Sequence, residues 1–92
     1  MNEMLSDEEL HLIAARVAVA TPGPWTSFIE GRDHQSGSNF IMTGEVGRRG
    51  QDIELIGATE ADQDFIAAAR EDIPRLLETV RVLQSALKAK HG

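Results

Sequence analysis

The chain of 92 residues contains no cysteine and no tyrosine, and its only aromatic side chains are one Trp and three Phe. Without cysteine, disulfides and thiolate metal sites are excluded, which fits a reducing compartment. Because aromatic residues are so few, the core has to be built from aliphatic side chains and alanine. A chain of this length buries about 60% of the surface that its unfolded form exposes. We therefore expect one small domain over residues 1–92 that gains stability as a homo-oligomer.

Long apolar runs and basic charge are also scarce. No run approaches the roughly 18 residues of a membrane span, and the first ten residues, MNEMLSDEEL, are acidic, unlike a signal peptide. We expect a cytoplasmic protein with no membrane partner. Nine Lys and Arg stand against fifteen Asp and Glu, a net charge of −6. General binding to DNA or RNA relies on a basic surface and is not expected.

The charge is unevenly distributed along the chain. Residues 1–74 hold five arginines and fourteen carboxylates, a net charge of −9, whereas residues 75–92 hold four basic residues and one glutamate, a net charge of +3. Such an asymmetry favours contacts between the tail of one copy and the body of another. Alternatively, the basic tail only complements the negative end of a helix dipole.

Turn and capping signals predict an α+β fold with an N-terminal helix, a three-stranded antiparallel meander and a kinked C-terminal helix. The capping box SDEE begins the first helix at Ser6, and TPGP (21–24) ends it. The apolar face of this helix follows helical spacing. It comprises Leu10, Ile13, Ala14, Val17 and either Ala18 or Ala20. The predicted strands are WTSFIE (25–30), NFIMT (39–43) and DIELIG (52–57), joined by the glycine-containing loops 31–38 and 44–51.

A second helix is expected to begin near Thr59, with Phe65, Ile66 and Ala69 on its apolar face. Pro74 predicts a kink or break near residues 71–72. Residues 73–90 then form a long final helix whose apolar stripe repeats every seven residues. The stripe consists of Ile73, Leu76, Leu77, Val80, Leu83 and Leu87. Such a helix can pack on the first helix, pair with itself in an oligomer, or do both.

Three segments together resemble a family of small phage and prophage proteins described as Ead-like. They are ATPGPW (20–25), DQDFIAAAR (62–70) and IPRLLETVRVL (73–83), and the resemblance covers most of the chain. It implies a phage or prophage origin, and hence the cytoplasm of a host cell. It provides no catalytic residues, because the family is largely uncharacterised. These motifs also have a plain physical role, with Trp25 as an apolar anchor between helix and sheet.

The loop EGRDHQSGSN (30–39) concentrates functional chemistry in few residues. Asp33, His34 and Ser36 are the residue types of a hydrolase, but a catalytic triad depends on geometry across a fold rather than on neighbours in sequence. The nucleophile elbow G-x-S-x-G is absent. The three histidines, His11, His34 and His91, lack metal-ligand spacing. We expect no catalytic residues, no metal and no cofactor.

The second loop, GEVGRRG (44–50), lacks the Lys-Ser/Thr of a phosphate-binding P-loop. Arginine forks and glycine-exposed amides nevertheless bind phosphate, and an aromatic ring offers a stacking face. A mobile hairpin with solubilising arginines is the alternative. The predicted ligand-binding residues are Arg32, His34, Ser36, Asn39, Arg48, Arg49 and Trp25.

Three hypotheses on function follow from these features. The first is a non-enzymatic phage-derived binding protein, a sponge that sequesters a nucleotide-derived signal of an anti-phage defence. The second is an inhibitor or immunity-type module that docks on a basic protein through the acidic residues 7–9 and 60–64. The third is a small hydrolase that uses His34 with Asp33 and Ser36.

Overall fold

The structure, a computed structural model, describes residues 4–91. It confirms the predicted α+β arrangement of an N-terminal helix, a small antiparallel sheet and a long C-terminal helix. The elements are α1 (Asp7–Val19), β1 (Trp25–Phe28), β2 (Phe40–Glu45), β3 (Arg48–Arg49), β4 (Ile53–Glu54) and α2 (Glu60–His91). Two compact units can be distinguished. The helical unit comprises residues 4–20 and 72–91, and the sheet unit comprises residues 21–71. That the chain forms a single domain stays a prediction.

Helix α1 begins at the predicted capping box. The backbone amide of Glu9 donates to the Ser6 hydroxyl at 3.1 Å, and the Ser6 amide donates to the Glu9 carboxylate at 2.8 Å. The half-buried side chains of α1 are the predicted ones, with Ala20 rather than Ala18 at the end of the face. Within the helical unit, Gln84 Nε2 donates to Asp7 Oδ1 at 3.1 Å, so the start of α1 lies beside the C-terminal part of α2.

Strand β2 is the centre of the sheet. It pairs antiparallel with β1, where Phe28 lies opposite Phe40, and its other edge pairs with both β3 and β4. The expected loop 44–51 and third strand 52–57 are therefore wrong in their bounds, since the chain already pairs again with β2 at Arg48. Gly44 and Gly47 take positive φ angles of 83° and 90°, which permits a tight turn after Glu45.

Side chains of the loop end β1 two residues earlier than predicted. The amide of Ile29 donates to Asp33 Oδ2 at 2.9 Å, and the amide of Glu30 donates to Asn39 Oδ1 at 2.8 Å. These acceptors replace the backbone carbonyls that a longer strand would need. The predicted residues 29 and 30 consequently belong to the loop.

Thr59 caps the start of helix α2, because the Thr59 hydroxyl and the Asp62 carboxylate each accept a backbone amide at 3.0 Å. The sequence predicted a kink or a break near residues 71–72. The helix continues through Pro74 to His91 without interruption, so the break does not occur. Proline removes one backbone donor from the helix, and the helix nevertheless continues on both sides of it. No helix among residues 4–91 is long and apolar enough to cross a membrane.

The face that α2 buries against the sheet differs from the predicted one. Gln63 and Ala67 are buried, whereas Phe65 is 74% exposed and Ile66 is 38% exposed. Gln63 Nε2 lies 3.0–3.1 Å from the Ser27 hydroxyl and the carbonyl oxygens of Phe28 and Phe40. The helix is thus rotated so that an amide meets the sheet, because these acceptors need a donor.

Candidate functional site

The structure distributes the seven predicted ligand residues over separate parts of the sheet unit. We name three of these parts. The arginine cluster consists of Arg32, Asp33, Glu60 and Asp64. The aromatic cluster consists of Phe28, His34, Phe40 and Arg49. The Arg48 groove is lined by Thr21, Pro22, Gly23, Thr43, Gly44, Glu45, Arg48 and Gly50. Trp25 stands at the start of β1 and donates its indole N–H to the carbonyl of Thr21 at 3.1 Å.

In the arginine cluster, carboxylates occupy the guanidinium of Arg32. Its Nη1 and Nη2 donate to the two oxygens of Asp64 at 2.9 and 3.0 Å, and its Nε donates to Asp33 Oδ2 at 2.9 Å. Glu60 lies 3.8 Å from Nη1. This two-point pairing is the geometry in which arginine otherwise binds phosphate. Arg32 therefore joins the loop to α2 instead of offering a free cation.

The pairing shifts the ionisation of the carboxylates. Hydrogen bonds from Arg32, followed by one from the Ser27 hydroxyl, lower the pKa of Asp64 to about 2. Arg32 and then the Ile29 amide likewise lower the pKa of Asp33. Both carboxylates stay charged through the neutral range, which leaves neither suited to accept a proton as a general base.

We expect the arginine cluster to stabilise the fold only above strongly acid pH. A carboxylate whose pKa is lowered on folding contributes stability that is present above its unfolded pKa, about 3.9, and is lost as the pH falls through the folded value. Urea unfolding of wild type and Arg32→Ala should show a gap in stability that is constant at neutral pH. The gap should close as the pH falls from about 4 to the folded pKa of Asp64, about 2.

Arg16→Ala is the matched control for this experiment, since Arg16 lies in the last turn of α1, outside the cluster. Its pH profile should run parallel to that of wild type. A gap between wild type and Arg32→Ala that persists unchanged at the acid end would contradict the assigned pairing.

The aromatic cluster covers one end of the sheet. The Phe28 and Phe40 rings stack at 5.4 Å, and the edge of His34 meets them at 6.2 and 5.0 Å. Arg49 lies over Phe40 at 5.8 Å and pairs with Asp52 at 2.7 Å. These contacts occupy the rings of Phe28 and Phe40, the predicted ligand residue His34 and the charge of Arg49, so the cluster holds the loop onto the sheet.

His34 and Ser36 contact each other without forming a triad. His34 Nδ1 accepts the Ser36 amide at 3.0 Å and lies 2.5 Å from the Ser36 hydroxyl oxygen. In the neutral ring Nε2 then carries the hydrogen, and Nε2 is buried with no partner among the described residues. Asp33 binds Ile29 and Arg32 instead. A triad needs its acid on the nitrogen opposite the nucleophile, and this loop places none there.

The remaining loop residues also serve the loop itself. Asn39 holds the Glu30 amide, as described above, and the Glu30 carboxylate accepts the Gly37 amide at 2.5 Å. Glu30 Oε1 lies 3.8 Å from His34 Nδ1. Among residues 4–91 no group of three or more His, Cys, Asp or Glu side chains is placed to hold a metal ion.

The Arg48 groove is a concavity of about 340 Å³ between the TPG segment (21–23) and the β2–β3 hairpin. The side chain of Arg48 is exposed and forms no ion pair with the described residues, in contrast to Arg32 and Arg49. The amides of Gly44 and Gly50 donate to the carbonyls of Pro24 and Thr43. These two amides are therefore occupied, whereas the Arg48 guanidinium is available to a ligand.

Sequence analysis missed Thr21, Thr43 and Glu45 as neighbours of Arg48. Thr43 is buried and donates its hydroxyl to the Gln51 carbonyl at 2.7 Å, so it shapes the floor of the groove. Glu45 lies opposite Arg48 in the β2–β3 pairing. The sequence does contain one signal for this arrangement, because the glycines on both sides of Arg48 indicate close approach of backbone segments.

The acidic residues proposed for docking are largely engaged within the chain. Asp7 accepts from Gln84, Glu9 and Asp62 cap their helices, and Asp64 pairs with Arg32. Among these four carboxylates only Asp64 is paired with a cation, and the hydrogen bonds of Asp7, Glu9 and Asp62 leave their negative charge in place. The second hypothesis stays a prediction.

No family model, curated protein or solved structure matches the chain. The resemblance to Ead-like phage proteins stays a prediction.

Proposed function

We propose that this chain is a non-enzymatic binding protein that sequesters a small nucleotide-derived anion in the Arg48 groove. One observation carries the proposal: Arg48 is the predicted ligand arginine whose guanidinium has no carboxylate partner among residues 4–91, and it lines a groove. A guanidinium offers a planar pair of donors that matches two phosphate oxygens. Arg32 and Arg49 drop out of the proposed site because their donors are occupied.

The size and composition of the groove favour a nucleotide over a bare phosphate. Its volume of about 340 Å³ lies at the lower end of the range for small-molecule pockets, about 300–1,000 Å³. Glu45 beside Arg48 is unfavourable for a polyphosphate but can accept a hydrogen bond from a ribose hydroxyl. A ligand with one phosphate and a sugar next to each other satisfies both side chains.

The resemblance to phage proteins supports the biological side of the proposal. A phage protein that removes a nucleotide-derived signal from the host cytoplasm protects the phage from a defence that depends on this signal. Sequestration needs binding without turnover, and among residues 4–91 no acid contacts His34 Nε2 to complete a triad.

Native mass spectrometry and calorimetric titration test the proposal directly. The protein is incubated with nucleoside monophosphates, with cyclic dinucleotides, and with boiled lysate from bacteria in which a nucleotide-signalling defence has been triggered. We expect a stoichiometric adduct of nucleotide mass with wild type. Arg48→Gln should weaken binding at least about tenfold, because a hydrogen bond to a charged group is worth about 1.5–3 kcal/mol.

Arg49→Gln is the matched control, since Arg49 is the next residue on the same strand but pairs with Asp52. It should bind the same ligand within about twofold of wild type. Equal affinity in wild type and Arg48→Gln would reject the groove as the site. A bare protein in every sample would reject nucleotide sequestration.

A further inference from the structure

Three exposed leucines form a continuous stripe on the C-terminal part of α2. Leu76, Leu83 and Leu87 are 60%, 59% and 58% exposed. With the less exposed Ile73 and Val80 they occupy the first and fourth positions of a heptad repeat, so all five lie on one side of the helix. We refer to these five residues as the leucine stripe. Large apolar side chains in one contiguous row, rather than scattered singly, indicate an interaction surface.

Helix α1 lies beside the leucine stripe and leaves its three leucines exposed. The groove between α1 and α2 is lined by Leu77 and Gln84, which are seven residues apart on the neighbouring face of α2, and by Val80 at the edge of the stripe. Leu77 is the single buried residue among the described side chains of the helical unit. Such a unit has little core of its own, which is the condition under which small proteins gain stability from a second copy.

We propose that the leucine stripe is the interface with a second copy of this chain, with the two α2 helices packed antiparallel. In this arrangement Leu76 of one copy lies opposite Leu87 of the other, and Val80 lies opposite Leu83. Repeated by the twofold axis, these pairs form four layers that are apolar throughout. The stripe is thus complementary to itself, as an isologous interface requires.

The charges of the helical unit favour the same occupant and the same orientation. The described part of the chain before Thr21 carries three carboxylates and one arginine, whereas residues 72–91 carry four basic and two acidic side chains. Helix α1 of one copy can therefore attract α2 of the other. A parallel pair would instead align the two helix dipoles side by side, which is unfavourable. This inference requires no ligand and is independent of the Arg48 groove.

Sedimentation velocity over a concentration series tests the interface with two neighbouring variants. Leu83→Glu places a charge in the stripe, and Val82→Glu places the same charge on the adjacent residue, which is 57% exposed but lies off the stripe. We expect a dimer for wild type and for Val82→Glu. For Leu83→Glu the dissociation constant should rise at least about tenfold, because each copy would bury an unpaired carboxylate.

Both positions are exposed in the single chain, so each variant should retain the wild-type circular dichroism spectrum. A wild-type protein that stays monomeric at the highest concentration would overturn the proposal. Equal weakening by Val82→Glu and Leu83→Glu would show that another face of α2 forms the dimer and would overturn it as well. A dimer that Leu83→Glu leaves unchanged would have the same consequence.

Discussion

Replacing Gly44 with alanine is expected to lower the free energy of unfolding by about 4 kcal/mol, a large effect for a single methyl group. The φ angle of Gly44 is +83°, in the region that side chains rarely adopt, and an added Cβ would clash with the backbone carbonyl oxygen of Arg48. A carbonyl in the paired strand cannot move aside as a flexible side chain can. The β2–β3 hairpin has to open before alanine fits, and chemical denaturation measures the cost.

Gly31 provides a closely matched control, because it has the same φ angle of +83° and nothing within 4 Å of the added Cβ. Gly31→Ala should therefore cost only the backbone strain, about 1–2 kcal/mol. If the two variants lose the same free energy of unfolding, the close approach of β3 to Gly44 contributes nothing to the cost of the added methyl group. Because Arg48 belongs to the same hairpin, Gly44→Ala should also weaken binding in the Arg48 groove, whereas Gly31→Ala should not.

Replacing Gln63 with leucine is expected to destabilise the protein by about 3 kcal/mol, although leucine is apolar and similar in size. Gln63 is 1% exposed, and the two hydrogens of its amide nitrogen face three acceptors within 3.1 Å, the Ser27 hydroxyl and the carbonyls of Phe28 and Phe40. Leucine leaves these buried acceptors without that donor. Equilibrium unfolding in urea measures the loss.

The control for Gln63 is Gln35→Leu, at an exposed position of the loop. Its effect should stay within about 0.5 kcal/mol of wild type, as for most surface substitutions. A Gln63→Leu variant as stable as wild type would mean that the contact between α2 and the sheet depends on apolar packing alone. In that case the rotation of α2 away from the predicted face would need another cause.

Helix α2 shows where prediction from the sequence succeeds and where it fails. The start at Thr59 is encoded locally, because the threonine and Asp62 satisfy the first amides of the helix. The buried face is not encoded locally. Apolar counting selects Phe65 and Ile66, yet Gln63 and Ala67 are buried, since the sheet presents polar acceptors at that place. Sequence periodicity does not reveal which side of a helix will meet an acceptor.

The candidate site likewise has features that the sequence predicts and features that only the fold decides. That arginines and glycines occupy two loops is visible from the sequence, and it suggested an anion site. Which arginine stays available depends on carboxylates distant in sequence, because Asp64 pairs with Arg32 from a separate element. Arg49 pairs with the nearby Asp52, but Arg48 is almost equally close to Asp52 in sequence. Only the alternation of side chains along β3 separates Arg49 from Arg48.

The sequence by itself determined the order of the elements, the capping box of α1, the apolar face of α1, the point where α2 begins, and the heptad spacing of the leucine stripe. All of these depend on residues within one or two turns of each other. Tertiary structure alone decided the early return of the chain as β3, the burial of Gln63 and the pairing of Arg32. The physical reason is that buried hydrogen-bonding groups and charges require partners, and the fold supplies those partners from residues far apart in the chain.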